Sequence, residues 1–557
     1  SSDKTMIKKF FLFVIFFSLS VSGKLYAQTL PVGLPVLEDT YRREQLRGNN
    51  DSLISFTVRP LFTGNLKHTS NPVGDTIPDD QSLLKFRSSF QSAKSSFQLL
   101  PISSVFQHNS EFAYGWSDGS MMPAIGLQSL HSFGVSAAYG PLSIQLRPEY
   151  LQAKNPEYEG FPSEQFDVVW ARYYDNYYNV SDITEWYPQT PYNKLLWGQS
   201  SIRLNFDPVS VGLSNENLWW GPGKRNSLLM SNNAQGFKHI TLNTTRPVQT
   251  SIGSFEAQII AGRLENSGVL PPQSNRVYDG RSLYRPKRDD WRYLSGMVFT
   301  YQPKWVPGLF IGSARVSQMY NQDAGSSPAD IIPLLQVFES KDAILKRDRY
   351  SSLFFRWIWK ESGTEIYGEY GHQGRKKLVD LLKSPETNAA YLLGVSKQTP
   401  IGSKGSYLQT SLEFTELQQT SIPLQGGWYT SSLIRQGYTH RGQVLGSGIG
   451  PGSNLQSLDI SWYKGLKHIG IQFERFLHNN DFYYQMYNNP IDYRKKYVDM
   501  SATLSADWDY KNLIFSAGFS MIRALNYGYV LYNRPPEYFV VGWDRLNYQT
   551  RIGVMYR

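Results

Sequence analysis

Residues 498–521 read VDMSATLSADWDYKNLIFSAGFSM, two runs in which every second residue is apolar or small. The first run puts one set of side chains on one face (Val498, Met500, Ala502, Leu504, Ala506, Trp508) and a polar set on the other (Asp499, Ser501, Thr503, Ser505, Asp507). After a turn at Asp509–Asn512, the alternation resumes from Leu513 to Met521. A period of two residues indicates β-strands that each have one apolar and one polar face.

The same alternation surrounds the turns at Asp207-Pro208 and Lys464-Gly465. Aromatic residues make up 15% of the chain and charged residues 18%, with a mean hydropathy of −0.40. Many aromatics in a chain that is not hydrophobic overall fit a barrel with lipid outside and water inside. A large secreted β-sandwich or propeller stays open at this point, because its strands alternate too.

The lengths of the connections separate these alternatives. Short links fall between predicted strands at 140–141, 207–208, 247–249, 302–308, 360–363, 399–404, 464–466 and 509–512. Long links fall between them at 215–238, 264–290, 320–349, 418–454, 478–496 and 526–547. Transmembrane barrels have short periplasmic turns and long external loops, whereas a sandwich has no reason to sort its loops in this way.

The number of strands follows from their alternating directions. The final strand, Tyr548–Tyr556, must run down into the periplasm, and counting back reaches a first ascending strand at Phe97–Phe106. The total is about eighteen, and single-chain bacterial barrels have an even number. We therefore predict an all-β fold, a transmembrane antiparallel β-barrel of about eighteen strands over residues 96–557 with long extracellular loops.

The first 95 residues predict two further parts. Lys8 and Lys9 precede an apolar run, Phe10–Leu19, and Ala27 offers a small residue at a cleavage edge, so residues 1–27 are predicted to be a secretory signal peptide. Residues 28–95 are predicted to form a periplasmic or plug segment with a short helix at Leu37–Arg47. The chain contains no later run of about twenty apolar residues, so any membrane crossing must be made by strands.

A second predicted helix lies inside the barrel region. Phe166, Val169, Trp170, Tyr173 and Tyr177 share one helical face, after a potential N-cap at residue 163, a serine. Such a helix either plugs the lumen, covers its mouth or lies across a loop.

The sequence lacks the motifs that are typical of several classes of function. The chain has no cysteine, and its eight histidines show no metal-ligand spacing and no His-Glu-x-x-His motif. It has no Gly-x-Ser-x-Gly elbow and no basic run interleaved with aromatics. We therefore expect no enzyme, no catalytic residue, no metal, no cofactor and no nucleic-acid partner.

Three groups of residues carry a resemblance to a known family. They are Asn217-Leu218-Trp219-Trp220-Gly221-Pro222-Gly223 with Ser231-Asn232-Asn233-Ala234, the upstream Asn109–Gly115 with Asp118-Gly119, and the downstream Gly437–Gly442 with Gly446 and Gly448–Gly452. Together they resemble the capsule assembly Wzi family, in the form common in Bacteroidetes. The resemblance implies an outer-membrane barrel with an amino-terminal helical plug that acts as a lectin for surface polysaccharide.

Candidate ligand-binding residues follow from that resemblance and from sugar chemistry. Sugar rings stack on aromatic faces, and their hydroxyls need fixed donors and acceptors. The candidates are Trp219, Trp220, Asn232, Asn233, Trp428, Tyr429, His440 and Arg441. Each has an alternative reading: the Trp-Trp-Gly-Pro segment folds inward against the wall, Trp428 and Tyr429 are interfacial girdle residues, and His440 and Arg441 belong to a hydrogen-bond network in the lumen.

The expected function is therefore binding or anchoring of capsular or extracellular polysaccharide at the cell surface. The expected location is the cell outer membrane, with outer-membrane lipid and the barrel assembly machinery as further partners. A component of an adhesion, gliding-motility or secretion assembly, with surface protein partners, and a porin stay open as alternatives.

Overall fold

A computed structural model describes residues 28–49, 53–63, 89–91, 95–325, 332–338, 343, 345–374, 383, 388–403, 405–419, 427–486, 496–530 and 543–556. Eighteen antiparallel strands form one closed barrel, as predicted. The barrel strands are β1 Ser95–Tyr114, β2 Ala124–Tyr139, β3 Leu142–Leu146 and Glu149–Ala153, β4 Tyr192–Leu196 and Ser201–Phe206, β5 Val209–Ser214, β6 His239–Thr244, β7 Gly253–Leu264, β8 Arg292–Pro303, β9 Leu309–Tyr320, β10 Asp348–Trp359, β11 Thr364–Gln373, β12 Ala389–Pro400, β13 Ser406–Glu416, β14 Asn454–Lys464, β15 Lys467–Leu477, β16 Val498–Tyr510, β17 Leu513–Leu525 and β18 Arg545–Tyr556. The barrel closes where β18 pairs with β1, from Gln549 opposite Asn109 to Tyr556 opposite Ile102.

The decisive sequence stretch forms β16 and β17, with Val498 opposite Leu525 and Tyr510 opposite Leu513. The strands are longer than predicted, because the turn between them has only two residues. Met500 and Leu504 are exposed on the outer face, whereas Asp499 is buried on the inner one. The barrel thus turns apolar side chains outward and polar side chains inward, as the alternation predicted.

Short and long connections sort to opposite ends of the barrel, which we call the turn end and the loop end. Links such as 140–141, 207–208, 465–466 and 511–512 lie at the turn end. The loop end carries the connections 115–123, 154–191, 215–238, 265–291, 321–347, 374–388, 417–453, 478–497 and 526–544. Among the described residues, no helix is both long enough and apolar enough to cross a membrane.

The helix α1, Pro35–Leu46, lies inside the turn end of the barrel. It starts two residues before the predicted position because Pro35, at the first helical position, has a backbone angle already suited to a helix. Its Leu37 and Tyr41 are buried in one cluster with Leu466 and Ile514 of the wall. Residues 1–27, the predicted signal peptide, lie outside the described residues.

Two further helices lie in the connections at the loop end. The helix α2, Asp167–Tyr173, continues as a single π-helical segment, Tyr174–Tyr178, and α3 spans Asn480–Met486. The predicted Ser163 cap of α2 is not formed, because the helix begins at Asp167 and its N-cap position is Phe166. Short 3-10 segments lie at Asn321–Asp323, Pro333–Phe338 and Lys360–Ser362.

Small two-stranded ladders lie outside the barrel sheet. They pair Thr29–Leu30 with Leu61–Phe62, Val58–Arg59 with Trp219–Trp220, Val277–Tyr278 with Arg281–Ser282, and Thr439–His440 with Gln443–Val444. Two other short strands join the barrel sheet, Ser89–Gln91 beside β1 and Val248–Gln249 beside β7.

The lumen is filled by residues 215–238, which we call the lumen loop. Its Trp220 and Leu228 are buried in one core with Trp428 and Tyr438 of the connection 417–453. The ladder between Trp219–Trp220 and Val58–Arg59 joins the lumen loop to the amino-terminal segment. Chain segments from both ends of the barrel therefore meet in its interior.

A buried ionic cluster fixes these segments to the wall. The carboxylate of Glu365 on β11 lies 3.2 Å from Arg42 Nε of α1 and 2.8 Å from Arg356 Nε of β10. Lys224 Nζ of the lumen loop lies 2.9 Å from the same carboxylate. One anion thus holds α1, the wall and the lumen loop together.

Candidate functional site

The tryptophan pair of the lumen loop points into the protein. Trp220 has no exposed surface, and its Nε1 donates to Gln258 Oε1 at 2.8 Å. A Cβ placed on Gly296 would lie 2.9 Å from the Trp220 ring, so the ring fills the space that this glycine leaves. Trp219 is also buried, and the Arg59 guanidinium lies 4.5 Å from its ring centre. This arrangement matches the alternative in which the Trp-Trp-Gly-Pro segment folds inward.

Of the two asparagines of the same loop, Asn232 bonds within the lumen loop and Asn233 joins that loop to its neighbours. The Asn217 amide donates to Asn232 Oδ1 at 2.6 Å. Asn233 donates to the backbone oxygen of Val444 at 2.9 Å and accepts the Ser117 N–H at 3.0 Å. Both side chains therefore have internal partners.

Trp428 and Tyr429 are buried in the loop core. Trp428 Nε1 donates to the backbone oxygen of Asn388 at 2.9 Å. The Tyr429 hydroxyl donates to the backbone oxygen of Leu228 at 2.6 Å and accepts the Ser447 N–H at 2.9 Å. Buried rings in the barrel interior are not girdle residues, so that alternative reading is wrong for both.

His440 and Arg441 lie at the loop end and share one partner. His440 is buried, and its Nδ1 accepts the Glu265 N–H at 3.1 Å. Arg441 is exposed, and its Nε donates to the Glu265 carboxylate at 2.8 Å. Of the eight candidate residues, only Arg441 has a side chain open to solvent, and a glycan contact by any of them stays a prediction.

The structure also contains a cleft of about 940 Å³ at the loop end, between the connections 154–191 and 265–291. Its lining includes carboxylates (Glu157, Glu159, Asp182, Glu185), the cation Lys287, aromatic rings (Tyr158, Phe161, Trp170, Tyr178, Trp186) and prolines (Pro188, Pro271, Pro272). This volume lies within the range of ligand-binding pockets. A mixture of apolar faces and fixed polar groups suits a sugar chain.

The two walls of the cleft are joined by side chains. Asp182 accepts the Ser267 N–H at 2.6 Å and the Ser267 hydroxyl at 2.7 Å. Arg276 forms an ion pair with Asp167 at 2.7 Å, and its guanidinium lies 5.1 Å from the Trp170 ring centre. These contacts preorganise the cleft across about a hundred residues of sequence.

Glu185 is the most constrained carboxylate of the cleft. Its side chain accepts the Phe161 N–H at 2.6 Å and the Tyr178 hydroxyl. A Cβ placed on Gly160 would lie 1.3 Å from a Glu185 oxygen, so any larger residue there would displace the Glu185 side chain. Burial raises the pKa of Glu185, and the two donors oppose that rise.

Lys287 is the cation of the cleft. Burial lowers its pKa to about 8, although the negative charge of Asp182 acts in the opposite direction. It forms no ion pair with any carboxylate that the structure describes. The Lys287 ammonium is therefore a donor directed to the cleft that changes its charge just above neutral pH.

The cleft is not evident from the sequence. The aromatic density of the stretch Trp170–Trp186 was its available signal, but the helix predicted there was expected only to plug the lumen, cover its mouth or lie across a loop. Within the described part of the chain, no three His, Cys, Asp or Glu side chains are grouped as a metal ion would require.

The model of the family described as "Capsule assembly protein Wzi" matches residues 126–512. A similar solved structure is Wzi of Escherichia coli, described as an outer membrane protein involved in group 1 capsule assembly and a carbohydrate binding beta-barrel. It is 12% identical, with 95% of this chain and 99% of that chain covered and a TM-score of 0.59.

Two Pseudomonas aeruginosa structures match less well. OccK5 is 9% identical, with 83% of this chain and 97% of that chain covered and a TM-score of 0.38. OprD is 8% identical, with 82% and 92% covered and a TM-score of 0.36. No curated protein sequence matches the chain significantly.

Proposed function

We propose, because this chain belongs to the capsule assembly Wzi family, that it is a lectin which binds or anchors capsular or extracellular polysaccharide at the cell surface. It is an outer-membrane protein with a closed barrel. The observation that carries the proposal is the preformed cleft of about 940 Å³ at the loop end, lined by aromatic, carboxylate and ammonium groups.

The chemistry of the cleft supports a glycan ligand. The half-buried Trp186 offers a ring to the C–H face of a sugar, and Pro271 and Pro272 add apolar surface. Glu157 and Lys287 supply an acceptor and a donor for hydroxyl groups. Arg441, outside the cleft, is a further contact that we retain from the sequence prediction.

The filled lumen favours this role over that of a porin. The helix α1 fills the turn end, and the lumen loop fills the interior beside the Glu365 cluster. A component of an adhesion, gliding-motility or secretion assembly is the second candidate function, since the same loop-end surface suits a surface protein. We assign the barrel a binding role without a catalytic step, and we propose the barrel assembly machinery as its partner during insertion.

Two experiments test the proposal. Cells that lack the protein should release their surface polysaccharide into the medium, and cells with the restored protein should retain it. The purified full chain should bind the polysaccharide of its own organism, and Trp186→Ala should weaken that binding. If the polysaccharide stays on the deleted cells and the purified protein binds none of it, the proposal is wrong. Stable co-purification with surface proteins instead would favour the second candidate.

A further inference from the structure

A third connection at the loop end, 417–453, lies against both walls of the cleft. The backbone oxygen of Gln436 accepts the Asp182 N–H of one wall at 2.7 Å. The Gln436 side chain donates from Nε2 to the backbone oxygen of Arg288 in the other wall at 2.8 Å. Gln436 is buried, so water competes little for these hydrogen bonds. The third connection therefore joins two loops that are distant in sequence.

Arg435, the residue before Gln436, joins the same two walls through its guanidinium. Its Nε donates to the backbone oxygen of Asn179 at 3.0 Å. Its Nη1 donates to the backbone oxygen of Pro286 at 3.0 Å, and its Nη2 donates to that of Arg285 at 2.6 Å. The planar guanidinium places these donors at fixed angles, so one side chain fixes three backbone oxygens relative to each other.

Asn179 strengthens the same junction. Its buried side chain accepts the Arg285 N–H at 2.9 Å and donates to the backbone oxygen of Leu283 at 2.8 Å. Asp182 follows Asn179 by three residues in one wall, and Lys287 follows Arg285 by two residues in the other. The junction therefore adjoins polar groups that line the cleft.

Arg435 also carries a positive charge that no carboxylate pairs. The partners of its guanidinium are backbone oxygens, and it forms no ion pair with any carboxylate that the structure describes. The charged groups that face Lys287 are Asp182 of one wall, Arg292 of β8 and Arg435. Burial and the two arginines lower the pKa of Lys287 to about 8, and Asp182 opposes this change. Arg435 therefore acts on Lys287 although it does not line the cleft.

We propose that Arg435 is a positioning residue for glycan binding in the cleft. Without touching the glycan, its guanidinium holds the two walls so that Trp186 of one wall and Lys287 of the other face the same sugar chain. Both walls are loops, which no sheet register holds in place, so their separation depends on hydrogen bonds of this kind. The role rests on the proposed lectin function and names a residue outside the cleft on which glycan affinity depends.

Two substitutions at this position separate the geometry from the charge. Arg435→Lys keeps the positive charge, but its ammonium lacks the planar fork that matches three fixed oxygens. Arg435→Gln removes the charge as well as most of the donors. Both variants should bind oligosaccharides cut from the polysaccharide of the same organism about tenfold more weakly than the wild type does. Calorimetry on the purified full chain measures this affinity.

The pH at which Lys287 loses its proton is the second readout, and it needs no ligand. Acetic anhydride acetylates only the neutral amine, so the rate of Lys287 acetylation at a series of pH values, followed by peptide mass spectrometry, gives the midpoint. We expect a wild-type midpoint near the pKa of about 8. Arg435→Gln should raise the midpoint, because a charge that opposes protonation is lost, whereas Arg435→Lys should leave it near the wild-type value.

Arg475→Gln is the matched control. The exposed Arg475 lies on β15 and donates to Gln456 of the neighbouring strand at 3.0 Å, so its loss should leave both readouts at their wild-type values. Heat-modifiable mobility shows whether each variant forms a folded barrel. If Arg435→Gln does not fold, Arg435→Lys decides through its affinity.

Three results would overturn the role of Arg435. They are wild-type affinity in folded Arg435→Lys or Arg435→Gln, a Lys287 midpoint that Arg435→Gln leaves unchanged or that both variants shift equally, and an equal loss of affinity in Arg475→Gln. A wild type that binds none of the oligosaccharides would refute the proposed lectin function, and the positioning role with it. Binding by the wild type without any change in the variants refutes the positioning role alone.

Discussion

Lys224 Nζ lies 2.9 Å from the carboxylate of Glu365, and this ion pair connects a loop from one end of the barrel to the wall beside a turn at the other end. The same carboxylate also faces Arg42 and Arg356. The buried Glu365 carboxylate is therefore the shared counter-charge of three cations.

Glu365→Gln should destabilise the folded barrel by about 3–5 kcal/mol, because it leaves buried cations without their counter-charge. The free energy of unfolding in urea, followed by tryptophan fluorescence in lipid vesicles, measures this change. Glu361→Gln is the control, since Glu361 is exposed on the adjacent turn and its loss should cost less than about 0.5 kcal/mol. Equal stability of both variants would contradict the prediction.

The intact protein should pass little current in a planar bilayer, because α1 and the lumen loop occupy the lumen. A variant without residues 28–49 removes α1 and its cluster with Leu466 and Ile514, and its conductance should rise. A wild-type conductance equal to that of an open porin would show that the lumen is not closed in the membrane.

Trp220→Ala should destabilise the protein by about 3–5 kcal/mol, the cost of removing a fully buried large aromatic side chain. Polysaccharide binding should fall only in proportion to the amount of folded protein, and the affinity of the folded protein should stay unchanged. Binding assays on the fraction that remains folded check this. A loss of affinity in the folded fraction would instead restore Trp220 as a ligand contact.

Trp186→Ala should behave in the opposite way. Trp186 is half-buried in the cleft lining, and losing its stacking face should cost about 0.5–1.5 kcal/mol of binding free energy with little change in stability. Titration of the polysaccharide by calorimetry measures the difference. Trp305→Ala, an exposed tryptophan at the turn end, is the matched control and should bind as the wild type does.

Ligands with an anionic group near Lys287 should bind more weakly as the pH rises through about 8, the pKa to which burial lowers this ammonium. The sign follows because the protonated ammonium below that pH attracts the anion and the neutral amine above it does not. Affinity for a uronic acid polysaccharide, measured between pH 7 and pH 9, tests this. Lys287→Arg should remove the pH dependence, because arginine stays protonated, and a wild type without such dependence would contradict the prediction.

The barrel was predictable from sequence because its lipid-facing residues obey a simple rule. Met500 and Leu504 must face lipid while Asp499 must not, and this requirement appears directly as a period of two. Connection lengths then gave the direction of each strand and the even strand number. The helix α1 was visible because Gly48 follows the run Leu37–Arg47 as a helix-terminating residue.

The cleft was not predictable in the same way. Asp182 and Ser267 are far apart in sequence, and no periodicity determines how two long loops approach each other. Trp220 shows a second limit. A tryptophan ring can stack on a sugar or pack in a buried core, and the sequence does not separate these roles. The contact of Trp220 with Gly296 and its hydrogen bond to Gln258 show that it packs in the core.

The ladder between Val58–Arg59 and Trp219–Trp220 has a consequence for assembly. These residues are enclosed by a wall whose seam, β18 against β1, joins only when the final strand is in place. The amino-terminal segment must therefore occupy the interior of the open sheet before β18 pairs with β1. If that segment were misplaced, β18 could not pair with β1 around the lumen segments.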